Sequence, residues 1–191
     1  MPTTKQQVTS KSATGVNATT PTHTAFSALK GDFGYTSSMQ TPRLVKIVVS
    51  TGVGAKHDQK KRELIIDRLS RITGQAPAER GAKKSIASFK LREGDIVGYQ
   101  VTLRGKRQQS FLNKLVHIVL PRVKDFRGIR TESIDEMGNI TIGFREHTVF
   151  PETSDEDSRD IFGLAVTLTT TAKNKKEAEA FLKHLGIPFR A

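Results

Sequence analysis

Between positions 83 and 107 the chain carries Lys83, Lys84, Lys90, Arg92, Arg104, Lys106 and Arg107, with Phe89 and Tyr99 interleaved. Ammonium and guanidinium groups meet ribose–phosphate oxygens, and an aromatic ring offers a face on which a splayed base can stack. That combination suits RNA contact. A core hairpin with Lys and Arg on its outside has the same composition, so the segment alone leaves both readings open. A DNA-reading helix-turn-helix fits less well, because the cations spread over loops and strands and do not concentrate on one short recognition helix.

Other chemistry fails on spacing. STGVGAKH (Ser50–His57) starts like a dinucleotide-binding turn with Gly52 and Gly54, but the third glycine position holds His57. A phosphate-cradling P-loop around Gly105–Lys106 would need glycine at 100 and Ser or Thr at 107, where Gln100 and Arg107 stand. His23, His57, His117, His147 and His184 never approach the spacing of a helical metal site. Glu152, Asp155, Glu156, Asp157 and Asp160 lack the glycine of a calcium loop and read as a solvated loop or helix start. With no paired carboxylates beside a nucleophile, the expectation is a protein without catalysis, cofactor or metal. The rival enzyme, an RNA-modifying or nucleotide-using one, has only the Gly52–Gly54 turn behind it.

The distribution of charge separates partners. Lys and Arg total 31 against 19 Asp and Glu, a net +12. Residues 41–130 hold 21 basic and seven acidic side chains, residues 131–191 seven basic and eleven acidic. One segment therefore carries more than the whole net charge, where a solvated surface would mix signs along its length. Nucleic acid is favoured over a membrane, because no apolar run approaches the ~20 residues of a spanning helix. A free nucleic-acid-binding regulator would share this basic segment. Cysteine and tryptophan are absent, which excludes disulfides and Cys-ligated metal and points to the cytosol or an organelle interior.

The elements that would position these residues can be read from periodicity. Residues 1–25 hold ten Ser or Thr and no acid and read as a disordered tail, with an organellar transit peptide as the alternative; residues 26–191 read as a single domain. A short helix fits Ala25–Lys30. Leu44–Ser50 is a buried strand; a helix runs from a cap at Asp58 to Gly74, with Leu64, Ile65, Leu69 and Ile72 on one face. Glu79–Ser85 reads as a basic loop. Ile86–Leu91 and Ile96–Leu103 read as a hairpin. Gly105–Leu120 is a helix stopped by Pro121, and Val123–Arg130 a second basic loop. Asn139–Phe144, Thr148–Phe150 and Leu164–Thr171 are strands, and Asn174–Leu185 is a closing helix. The irregular alternation and the hairpin predict an α+β fold, a two-layer sandwich of a mostly antiparallel sheet covered by helices.

Seven blocks in order resemble bacterial ribosomal protein L5: MQTPRLVKIVVSTGVG (Met39–Gly54), ITGQAP (Ile72–Pro77), KKSIASFKLREG (Lys83–Gly94), VTLRG (Val101–Gly105), LPRVKDFRGI (Leu120–Ile129), GNITIGFREHTVFPE (Gly138–Glu152) and GLAVTLTTTAK (Gly163–Lys173). The resemblance implies a structural constituent of the large ribosomal subunit, in the cytoplasm or in an organelle. Its implied partners are 5S rRNA, large-subunit rRNA, the elbow of P-site tRNA and a small-subunit head protein reached through an intersubunit bridge. It carries the 5S rRNA surface to Gln75, Phe89 and Thr102; the cations Lys90, Arg92 and Arg104 of the basic segment are expected to add phosphate contacts there. Ser50 stands where the family usually has Asn, a shorter hydrogen-bonding group. The tRNA-contacting loop maps to Arg80, Gly81, Ala82, Lys83, Lys84 and Ser85, with Arg80 replacing a usually small residue. The bridge maps to Arg122, Lys124, Asp125, Phe126, Arg127 and Arg145. At the front, only Ala25–Lys30 matches the longer charged helix usual in the family.

Overall fold

A computed structural model describes residues 21–54, 59–124, 126–154 and 161–190, the side chains of 21–23 excepted. His57, the Asp58 cap, Asp125, the acidic positions 155–160 and the first twenty residues lie outside the described residues.

The fold is built on β1 (Leu44–Gly52), whose β-branched alternation sends Ile47, Val49 and Thr51 into the interior and leaves Lys46, Val48 and Ser50 half-buried on the other side. β3 (Ile96–Leu103) and β5 (Leu164–Thr170) flank it, both antiparallel. β2 (Ala78–Gly81) and β4 (Ile140–Phe144) close the edges, giving one sheet in the order β2-β3-β1-β5-β4 with every neighbour antiparallel.

Helices cover one face of this sheet. α2 (Gln59–Thr73) buries Ile65, Leu69 and Ile72, spaced four and three apart on one stripe. α3 (Gly105–Lys114) buries Phe111 and Leu112. These side chains join Ile47, Val49, Tyr99, Val101, Leu103, Val166 and Leu168 in the main core. Phe150 stacks on Phe111, with ring centroids 6.2 Å apart, and meets the edge of Phe144 at 5.7 Å. The α+β two-layer architecture predicted from the sequence is the one observed.

A smaller cluster of Ala25, Leu29, Tyr35 and Phe181 joins α1 (Pro21–Phe33) to α5 (Lys175–His184). α1 is longer than the expected Ala25–Lys30. Residues 21–25, read as tail, are helical, and Ala25 is fully buried.

Four further elements differ from expectation. Ile86–Leu91 is not a strand: it makes a single bridge from Ile86 to Leu91 around a 3-10 turn at Ala87–Phe89. The hairpin partner of β3 is instead β2, taken largely from the stretch expected to be loop. Its residues, AERG, carry no β-branched side chain; long-range backbone pairing overrides their weak local preference. Thr148–Phe150 is likewise not a strand, since His147–Val149 forms a 3-10 turn. Finally, Pro121 does not stop the helix. α3 continues through a π turn, Leu115–Val119, into the short α4 (Leu120–Arg122). The π turn already breaks the regular ladder just ahead of the proline, so the missing N–H of Pro121 costs little there.

Candidate nucleic-acid interface

Side chains alternate across a strand, so the residues whose neighbours fill the core point the other way. On β1, β3, β5 and β4 that second set includes Lys46, Val48, Ser50, Gln100, Thr102, Ala165, Thr167, Thr169, Thr141 and Gly143, all half-buried or exposed. The face they share is left uncovered by the described helices. Ser50 pairs with Gln100, and Thr102 with Val48, so the predicted contacts Ser50 and Thr102 sit on adjacent strands two residues apart along this face. Gln75 follows the C-terminus of α2, where Gly74 adopts φ +66°. The β2–β3 register runs from Ala78 opposite Gln100, so the three residues back to Gln75 lead toward the Thr102 end of β3. Arg104, exposed, leaves that same end. Four of the predicted 5S positions are thus brought together.

Phe89, Lys90 and Arg92 are set apart from them. Beyond Gly81 opposite Ile96, the chain folds back on itself as an arm. Its rungs are Ala82 N–H donating to Asp95 O (2.8 Å), Glu93 N–H to Ser85 Oγ (2.9 Å) and Ile86 N–H to Leu91 O (3.0 Å). Six residues of strand separate Thr102 from Ile96, about 20 Å, and the arm extends from there. Phe89 lies at its tip, 70% exposed. Lys90 comes next in the left-handed region, with φ 51° and ψ 43°, the only non-glycine described residue with positive φ. Such strain is held in place by surrounding structure and concentrates at functional positions. Lys83, Lys84 and Ser85 lie on one limb of the arm, Lys90 and Arg92 on the other, and Arg80 and Gly81 at its root in β2. Two sets of residues assigned from the sequence to different RNA partners therefore share one projection.

Tyr99 does not join Phe89 on a common surface. It points into the core with 2% exposure. Burial raises its phenol above the ordinary range, the Glu79 carboxylate adds to the rise, and the Arg62 guanidinium opposes it. Only Phe89 remains as a stacking ring in this segment.

The predicted bridge residues Arg122, Lys124 and Arg145 line one cleft of about 670 Å³ between α4 and the end of β4, with Glu146 and Thr148 beside them. Phe126 is half-buried against the main core and anchors the loop. Arg127 is exposed next to Gly128, whose φ of +91° and approach to the Arg190 backbone leave no room for a side chain. Ile129 N–H donates to Pro188 O (2.9 Å) and Arg190 N–H to Ile129 O (2.9 Å), tying this loop to the C-terminal segment.

The cations of the arm and cleft stand outside the ion pairs formed among the described residues. Those pairs use Arg68 and Arg71 with Asp67, Lys114 with Glu152, and Lys183 with Glu179. Arg80, Lys83, Lys84, Lys90, Arg92, Arg104, Arg122, Lys124, Arg127 and Arg145 take part in none of these. No group of three or more metal-ligating side chains occurs among the described residues, and no described helix is long and apolar enough to cross a membrane.

The sequence reading missed the half of the open face contributed by β4 and β5. Thr141 and Thr167 are directly paired there, their hydroxyls 3.0 Å apart. The alternation in LAVTLTT (Leu164–Thr170) was the available signal.

Comparison with known proteins is consistent across the chain. The family profile described as ribosomal protein L5 matches residues 37–92, and the profile for the C-terminus of the same ribosomal family matches residues 96–189. The large ribosomal subunit protein uL5 of Ureaplasma urealyticum serovar 10 is 47% identical over 163 residues, covering 85% of this chain and 89% of the relative. The protein of the same name from Desulfatibacillum aliphaticivorans is 48% identical over 163 residues, covering 85% and 91%. That from Anaeromyxobacter sp. strain Fw109-5 is 46% identical over 165 residues, covering 86% and 92%.

Proposed function

The chain belongs to the ribosomal L5 family, a family of structural proteins and not of enzymes, and from that premise we propose that it is a constituent of the large ribosomal subunit that fixes 5S rRNA in the central protuberance. The open sheet face around Ser50, Gln75, Thr102 and Arg104 holds the RNA, and the arm supplies Phe89, Lys90 and Arg92. The observation that carries this reading is the position of Ser50 and Thr102 on the face of the sheet that the described helices leave uncovered, flanked by cations outside the ion pairs formed among the described residues. Such cations gain most from phosphates, and phosphate contacts position an RNA without reading its sequence.

The root and first limb of the arm, Arg80–Ser85, contact P-site tRNA, where Arg80 adds a phosphate contact. The cleft of Arg122, Lys124 and Arg145, with Arg127 beside it, receives a small-subunit head protein as part of an intersubunit bridge. Large-subunit rRNA completes the anchorage, and the site of action is the cytoplasmic ribosome.

The deciding experiment is filter binding of the full chain to 5S rRNA over a series of salt concentrations. Neutralising several phosphates releases counterions, so log affinity should fall steeply and linearly with log salt. A flat slope, or absence of the chain from purified large subunits, overturns the proposal.

A further inference from the structure

The centre of the uncovered sheet face carries no charge. Across the four strands β3, β1, β5 and β4 runs a row of Thr102, Val48, Thr167 and Thr141, each opposite the next. The adjacent row brings Gln100, Ser50 and Ala165 into line. Cations lie only at the margins: Lys46 opposite Thr169, and Arg80 opposite Gly98 on the edge strand. The face thus presents hydroxyls and small groups in the middle and positive charge outside.

This pattern has a complementary ligand. Three interstrand spacings of about 4.8 Å make the row about 14 Å wide. The minor groove of A-form RNA is wide and shallow, bounded by phosphates and floored by ribose 2′-hydroxyls and base edges. The minor groove of B-DNA, about 6 Å wide, does not admit such a surface and has no 2′-hydroxyls. A threonine hydroxyl both donates and accepts. The Thr141 and Thr167 hydroxyls bond each other at 3.0 Å, which uses one proton of the pair and leaves the second proton and free lone pairs for an external partner.

Resting on the proposal that this face holds 5S rRNA, we infer that Thr102, Thr167 and Thr141 form a hydroxyl track that engages ribose 2′-hydroxyls of duplex RNA and makes the face selective for RNA over DNA. Lys46 and Arg80 meet the phosphates on either side. The track extends the contact surface to β4 and β5, beyond the positions carried over by family resemblance.

The test uses the full chain with 5S rRNA, and with 5S rRNA ligated to carry 2′-deoxyribose through the helical segment the chain protects in a hydroxyl-radical footprint. The wild-type chain should bind the deoxy-substituted RNA about tenfold more weakly. T141V/T167V, which keeps shape and strand preference, should lose most of that affinity for the unsubstituted RNA and discriminate severalfold less, with Thr102 alone left in the track. T141S/T167S should restore discrimination. A wild-type chain indifferent to the substitution overturns the inference, as does a valine variant that discriminates like wild type. Should the chain fail to bind 5S rRNA at all, the proposed function falls. The track is then judged separately with generic RNA and DNA duplexes of one sequence, where equal affinity refutes it.

Discussion

The Tyr35 hydroxyl donates a hydrogen bond to the Glu177 carboxylate, joining positions 142 residues apart. The other oxygen of Glu177 accepts from Lys173 N–H at 2.7 Å, at the start of α5. One carboxylate therefore holds the segment entering the last helix and latches onto it the residue just after the first helix. Around this pair Ala25, Leu29 and Phe181 exclude water.

Tyr35→Phe should lower stability by ~1–3 kcal/mol, because the variant withdraws a donor from a charged, buried acceptor. Urea unfolding measures this directly. An unchanged midpoint would show that the latch contributes nothing.

The same contact gives a pH signature. Burial first, then the hydrogen bond and charge of Glu177, push the Tyr35 phenol well above its ordinary value. A raised folded-state pKa means that the native protein holds the proton longer than the unfolded chain does. Its stabilisation is complete below the unfolded value of about 10 and falls as pH climbs beyond it. The wild-type melting temperature should drop more steeply above that pH than that of Tyr35→Phe.

Phe89→Ala should weaken 5S rRNA binding by ~1–3 kcal/mol, the range for loss of a stacked base. With 70% of the residue exposed, the melting temperature should not move. Tyr99→Ala should do the reverse of a pure binding defect and destabilise the fold by ~3–5 kcal/mol. Equal melting temperatures for the two variants would contradict the burial assigned to Tyr99.

Lys90→Gly should leave stability unchanged or raise it by up to about 1 kcal/mol, because glycine adopts the left-handed conformation without the penalty a lysine bears. RNA affinity should fall through loss of the cation. Thermal melting and filter binding together separate the effects; a clear loss of stability would show that the turn depends on the lysine side chain.

Gly98→Ala should be among the most damaging small changes. An added Cβ would lie 2.5 Å from the Thr51 carbonyl oxygen on the neighbouring strand, and relieving that clash costs ~1–3 kcal/mol of overpacking strain. Calorimetry should show the loss as a lowered melting temperature.

Much of the scaffold was readable from local pattern. β1, α2 and α5 announce themselves because their apolar residues recur at one period with glycine or a capping residue at the end. β2 does not, because Ala78–Gly81 holds its place through backbone pairing to β3, across the intervening arm. The fates of Phe89 and Tyr99 were not separable from their neighbours, both being aromatic within basic surroundings; only the parity of β3 turns Tyr99 inward. Ser50, Gln75 and Thr102 came to attention through the resemblance, whereas placing Thr141 and Thr167 on the same face as Ser50 and Thr102 needed the strand order, which no local pattern contains.

The π turn at Leu115–Val119 sets the rotational phase of α4. Leu120 N–H reaches back to Leu115 O, one residue farther than an α-helix spans, and each residue of helix turns the chain by about 100°. Wound as an unbroken α-helix, the same residues would leave Phe111 and Leu112 seated and swing Arg122 about a quarter-turn out of its cleft. The place of Arg122 in the cleft thus depends on how many residues the preceding turn accommodates as much as on which ones they are.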